Sequence, residues 1–393
     1  MQHTRGGFVG SCPRPHVFAH YEEFVIISMR KGLAAAGVVA LISAGSAACG
    51  ADKTTPQGRV GDAFDKLGKQ TTVSLDLGFG GTSDQIYTAL KDEDGFTQAD
   101  AKLLASLHLT LAASSTKSFS ALGKDQSAAA KDGAFDIGLT SEDGGQLAEI
   151  RAVDQKAYIK FDIKGLEKLD TSPNDTKDLA EFNQFVDNAD QLPANLASVK
   201  AAIKGQWVSI DPKAFTDFAK SLGGNGGSDS SGLPTSTPSF STQEQKQIVD
   251  GLRQALTANV TYKELGSKDG ADHVQVSVPA RQFVKDAATS LTPVFNKIPG
   301  FPPSDLTDLQ NAKDVPNKTI SADVAIKNGN VSSVTVDLAQ FDDTAAGPLP
   351  LTLGFQGSAA AIKAPAGAQV LNPQDIIGLV MNVQGGSGDD SSF

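Results

Sequence analysis

Strict alternation of apolar and polar residues is the commonest pattern in this chain, and it predicts strands with one apolar and one wet face. Val73, Leu75, Leu77 and Phe79 alternate with Thr72, Ser74, Asp76 and Gly78. Leu107, Leu109 and Leu111 do the same, which puts His108 on the polar side of a strand. The densest stretch is Phe135 to Ile163, where three strands follow one another. Phe135, Ile137 and Leu139 mark the first, Ala148, Ile150 and Ala152 the second, and Ala157, Ile159, Phe161 and Ile163 the third. Turns at Glu142-Asp143-Gly144-Gly145 and Asp154-Gln155 make them an antiparallel meander. The pattern returns at Val260 to Leu265 and at Val274, Val276 and Val278, on either side of Asp269-Gly270. A second meander follows: Ile320, Ala322, Val324 and Ile326 lead through Asn328-Gly329, a strong hairpin signal, to Val334, Val336 and Leu338, and Leu349 to Phe355 add a third strand.

Between these strands the spacing becomes helical. Val60, Phe64 and Leu67 share one face of a helix over residues 60–69. Further helices are expected over 83–90, after the N-cap Thr97, over 175–189 and 195–203, from Pro212, over 243–256 and 281–295, and from Pro373 to Val383. Gly205 to Asp211 reads as a short strand holding Trp207, the single tryptophan. Residues 223–241, rich in Gly, Ser, Thr and Pro, read as a flexible linker. A one-faced meander must cover its apolar side with helices, a second sheet or a ligand. The expected fold class is therefore α+β: two related units of curved antiparallel sheet covered by helices, over 59–222 and 242–384, with a frayed tail at 385–393.

The stretch from Met29 to Gly50 follows neither rule. It has basic Arg30 and Lys31, an apolar run from Gly32 to Ile42, and small residues before Cys49, the order of an export signal. The apolar run is shorter than the ~20 residues of a spanning helix. Residues 1–28 are then expected to be an upstream extension, 29–48 the signal and 49–58 a short polar tether. Cys12 and the histidines His3, His16 and His20 fall in the extension, so Cys49 is the body's sole cysteine and no internal disulfide can form.

Ser46-Ala47-Ala48-Cys49-Gly50 resembles the lipobox of bacterial lipoproteins. That resemblance implies cleavage before Cys49 and a diacylglycerol on its sulfur; Ser46 stands where the family usually has an aliphatic residue. The implied location is the extracytoplasmic face of the cell membrane, held there by acyl chains such as palmitate. Two chains suffice where one is marginal.

Charge narrows the partners. The chain carries 34 Lys and Arg against 45 Asp and Glu, a net charge of −11. Loss of the leader removes Arg5, Arg14, Arg30 and Lys31 but only Glu22 and Glu23, so the body is more acidic still. Such a surface repels nucleic-acid phosphates and anionic headgroups alike. The body's two histidines, His108 and His273, lie in strands with polar neighbours, and no G-x-S-x-G elbow, H-E-x-x-H helix or P-loop occurs. The acidic run Asp92-Glu93-Asp94-Gly95 lacks the alternate-position ligands of a calcium loop. No catalytic residue, metal ligand or cofactor is expected, and the chain reads as a non-enzymatic binding protein.

The hairpin from Arg151 to Ile159, followed by Gly205-Gln206-Trp207-Val208, resembles LolA/LppX-type envelope lipoproteins. Their curved sheet closes over a lipid-binding cavity. The resemblance implies an apolar ligand between sheet and helices, with Ile137, Ile150, Ile159, Phe161, Trp207, Val324, Val336 and Leu351 as candidate contacts. The alternative is an envelope scaffold or sensor whose sheet faces are filled by its own side chains. Cys49→Ser is expected to release the protein into the medium, and a membrane fraction that retains the variant would exclude lipidation at Cys49.

Overall fold

A computed structural model describes residues 52, 54–93, 95–122, 132–141, 143–169, 183–184, 186–221, 247, 250–251, 254–255, 257–295, 303–313, 315, 317–341, 345–356 and 360–375. Cys49, the 223–241 linker and the tail lie outside them, as do most of the helices expected over 175–189, 243–256 and 373–383.

The expected strands form, except that Ile163 opens a short helix capped by Asp162 and Leu338 falls in a short 3-10 turn. They are β1 (Thr72–Phe79), β2 (His108–Ser115), β3 (Gly133–Thr140), β4 (Gln146–Val153), β5 (Lys156–Phe161), β6 (Val208–Ile210), β7 (Thr261–Lys268), β8 (Ala271–Pro279), β9 (Thr319–Lys327), β10 (Asn330–Asp337) and β11 (Pro350–Gln356). A short β12 (Gln369–Val370) completes them. Three hairpins turn on a pair of residues with left-handed backbone: Asp154-Gln155, Asp269-Gly270 and Asn328-Gly329. That geometry matches the twist of the flanking strands.

All twelve strands join in one sheet of order β12-β6-β5-β4-β3-β2-β1-β11-β10-β9-β8-β7. Neighbours are antiparallel except β12, which runs parallel to β6. The sheet is open: β7 forms one edge and β12 the other. Strands from both expected residue ranges share this one sheet: β1 pairs with β11 and β12 with β6.

Helix α1 (Pro56–Gly68) starts earlier than its apolar spacing indicates, because Thr55 caps it by accepting a hydrogen bond from the Gly58 amide at 3.1 Å, with Pro56 in the first turn. It does not lie over its own neighbour in sequence. Val60, Ala63 and Phe64 pack instead on Val274, Val276, Val324, Val334 and Val336 of β8, β9 and β10. Arg59 fastens this arrangement to Glu264 at 2.9 Å, and Lys66 donates to the Gly329 carbonyl at 3.1 Å.

Helices α2 (Ser83–Leu90) and α3 (Gln98–Ser106) each begin in a capping box, with Thr82 paired to Gln85 and Thr97 to Asp100. Together they bury Ile86, Ala101 and Leu349 over the Phe79 end of β1.

One segment was not legible in the pattern. Residues 360–370 cross the sheet as an extended strap: the Ile362 amide donates to Ser114 Oγ at 3.0 Å, and the Gln369 amide to the Trp207 carbonyl at 3.0 Å.

Val324 and Ile150 therefore occupy the same apolar face in different surroundings, 3% and 43% exposed. Val324→Ala is expected to cost about 2 kcal/mol in urea unfolding, and Ile150→Ala less than about 1 kcal/mol. Equal costs would contradict the covering described here.

Candidate functional site

The pairing register carries the apolar face across the whole sheet. Cross-strand partners point to the same side. One row runs Phe355, Leu75, Leu111, Ile137, Ile150, Ile159 and Val208. The next row runs Leu353, Leu77, Leu109, Leu139, Ala148 and Phe161. A third joins Val73, Ala113, Phe135, Ala152 and Ala157. Every side chain in these rows is apolar.

Cover is uneven along this face. Beyond β11 it is sealed by α1, and near Phe79 by the α2–α3 pair. Across β3 and β4 it is open: Phe135 is 53% exposed, and Ile137, like Ile150, 43%. Leu75, Leu111 and Ile159 flank them half-buried. The result is an apolar strip across β1 to β5, about 19 Å wide at the usual strand spacing.

Of the residues singled out above, Ile137, Ile150, Ile159 and Phe161 come together on this strip. Val324 and Val336 share the face but lie beneath α1. Leu351 is half-buried between Phe79 and Val336. Trp207 is on the other side of the sheet, packed with Ala134, Val153, Tyr158, Ile362 and Ala368. Phe135 was missed as a contact, although its place in the first meander strand already set it on the same face as Ile137.

The opposite face carries the strap over the apolar Trp207 cluster, beside a polar network centred on Arg151. Arg151 donates from Nε to Asp136 Oδ2 at 2.9 Å, from Nη1 to the Lys363 carbonyl at 2.9 Å, and from Nη2 to Glu149. Its guanidinium lies 5.0 Å from the centre of the Trp207 ring, within cation–π range. One cation thus ties two strands, the strap and the tryptophan together, a structural task.

Both body histidines also face this side. His108 Nδ1 lies 3.0 Å from Asp76, and His273 Nδ1 lies 2.8 Å from Asp323. Among the described residues neither imidazole bonds a side-chain hydroxyl or thiol. No group of three or more His, Cys, Asp or Glu among the described residues is placed to hold a metal ion. No described helix is long and apolar enough to cross a membrane.

Burial, followed by the neighbouring Asp136 carboxylate, pushes the Glu149 carboxyl above its ordinary value of 4.5, while Arg151 pulls it back. The folded protein then keeps a proton that the unfolded chain has already lost. Stability from this group therefore rises as pH falls from the raised value toward 4.5. In urea melts across that window, wild type is expected to gain on Glu149→Gln as pH drops; the reverse slope would contradict this assignment.

No protein-family model matches the chain, and no curated protein matches it. Among solved structures, the Mycobacterium tuberculosis lipoprotein LppX is similar over 78% of this chain and 96% of its own, at 10% identity and a TM-score of 0.27.

Proposed function

We propose that this chain is an extracytoplasmic lipoprotein, tethered through Cys49, that holds the hydrocarbon part of a lipid on the open sheet face. The observation that carries the reading is the exposure of Phe135, Ile137 and Ile150 within a contiguous apolar strip. Single exposed apolar residues are ordinary, whereas a continuous patch marks a surface that something covers. The strip offers no side-chain hydrogen-bonding group, so what it takes must be hydrocarbon there, with any polar part outside it. A width of about 19 Å suits an extended acyl chain lying across the strands. Burial of each methylene would contribute about 0.8 kcal/mol.

A second reading is favoured by α1, which shows that an amphipathic helix seats well on this face. On that reading a partner protein's helix covers the strip, and the chain is an envelope scaffold.

Palmitate added to the full chain separates the two. At a hundredfold excess over the dissociation constant it is expected to stabilise the fold by about 2.7 kcal/mol. Ile150→Glu, a change at an open position, is expected to leave the unliganded fold within about 0.5 kcal/mol and abolish that gain. If palmitate gives no stabilisation, and protein extracted from its own membrane shows no non-covalently bound lipid in native mass spectrometry, the lipid reading fails.

A further inference from the structure

We infer that Phe64 of α1 is the stop that sets how long a hydrocarbon chain the open strip accepts. This rests on the lipid-binding reading above and adds what limits the ligand.

The apolar face has no chemical end at β1. Its rows continue past Leu75 and Leu77 to Phe355 and Leu353 of β11, and from Leu353 to Val334 and Val324. The open part ends where α1 begins to cover the face, and Phe64 is the α1 side chain seated on Phe355. The Phe64 ring meets Phe355 edge-to-face, with centroids 6.4 Å apart and planes at 82°. Phe64 is 8% exposed, so it fills the space between α1 and the sheet. Phe355 is also the cross-strand partner of Leu75, the β1 member of the open row. A chain lying along Ile159, Ile150, Ile137, Leu111 and Leu75 therefore meets the Phe64–Phe355 pair head-on. At the other end Val208 is fully buried, so the row is closed there too.

A stop of this kind has a recognisable signature. Each methylene that finds apolar cover tightens binding about fourfold. Once the chain reaches the stop, further methylenes stay in water and the gain ceases. The ligand class is thus an acyl chain selected by length through a helix that belongs to the segment nearest the tether.

The test is a series of saturated fatty acids from dodecanoate to tetracosanoate, bound to the full chain and to Phe64→Ala, Phe64→Leu and Phe64→Trp. Wild type is expected to gain about fourfold per methylene up to a break and nothing beyond it. Phe64→Ala should move the break to longer chains, Phe64→Leu less so, and Phe64→Trp should move it to shorter ones. The leucine and tryptophan variants keep the seat of α1 filled, so the comparison survives if the alanine variant does not fold. A break at the same length in every folded variant would overturn the assignment to Phe64 while leaving lipid binding intact. If no fatty acid binds wild type, the underlying reading falls and this inference with it.

Discussion

The pairing of β1 with both β2 and β11 is the constraint on which everything else depends. It turns two strand meanders into one sheet of twelve strands. It also brings Leu75 and Leu77 level with Phe355 and Leu353 on one side and with Leu111 and Leu109 on the other. A slip of one residue would turn Asp76 and Gly78 into the apolar rows and break the face in two. Register at this strand is thus what makes a single apolar surface out of two halves.

Given that surface, the second decision is where to cover it. Helix α1 carries Val60, Ala63 and Phe64 past β1 onto β8 to β11, and so completes the core of the later half. Among the described residues of the helix just before β7, none is grouped with the apolar face of the earlier half. Where it can be followed, Gly251 lies against Ser290 and Leu291 of the helix after β8, and Asn259 donates to Asp286. The apolar face of the earlier half is left half-exposed, while its polar face is fastened by Arg151, Trp207 and the strap. The asymmetry accompanies the crossing of α1 onto the later half.

Much of the architecture was legible in the chain itself. The strand at Thr72–Phe79 and the helix at Ser83–Leu90 end where the spacing places them, and the hairpin turns fall at Asp154-Gln155, Asp269-Gly270 and Asn328-Gly329. These features depend on local rules: period-two alternation, capping residues, and tolerance of left-handed backbone at turns. The grouping of Ile137, Ile150, Ile159 and Phe161 was legible for the same reason, since neighbouring strands of a meander pair in order. Trp207 was not, because its place depends on residues 360–370, far away in the chain and without any strong periodicity.

Alternation along the strands determined that one side of each would be apolar. Folding decided which parts of that side are core and which are open. Val324 and Ile150 have the same pattern around them, yet the first is sealed and the second lies bare. The difference comes from a helix joined to the sheet at β1 that comes to rest over β8 to β11, on the side of β1 away from Ile150. Burial by a distant segment is a property of the packed chain, and no local sequence rule contains it.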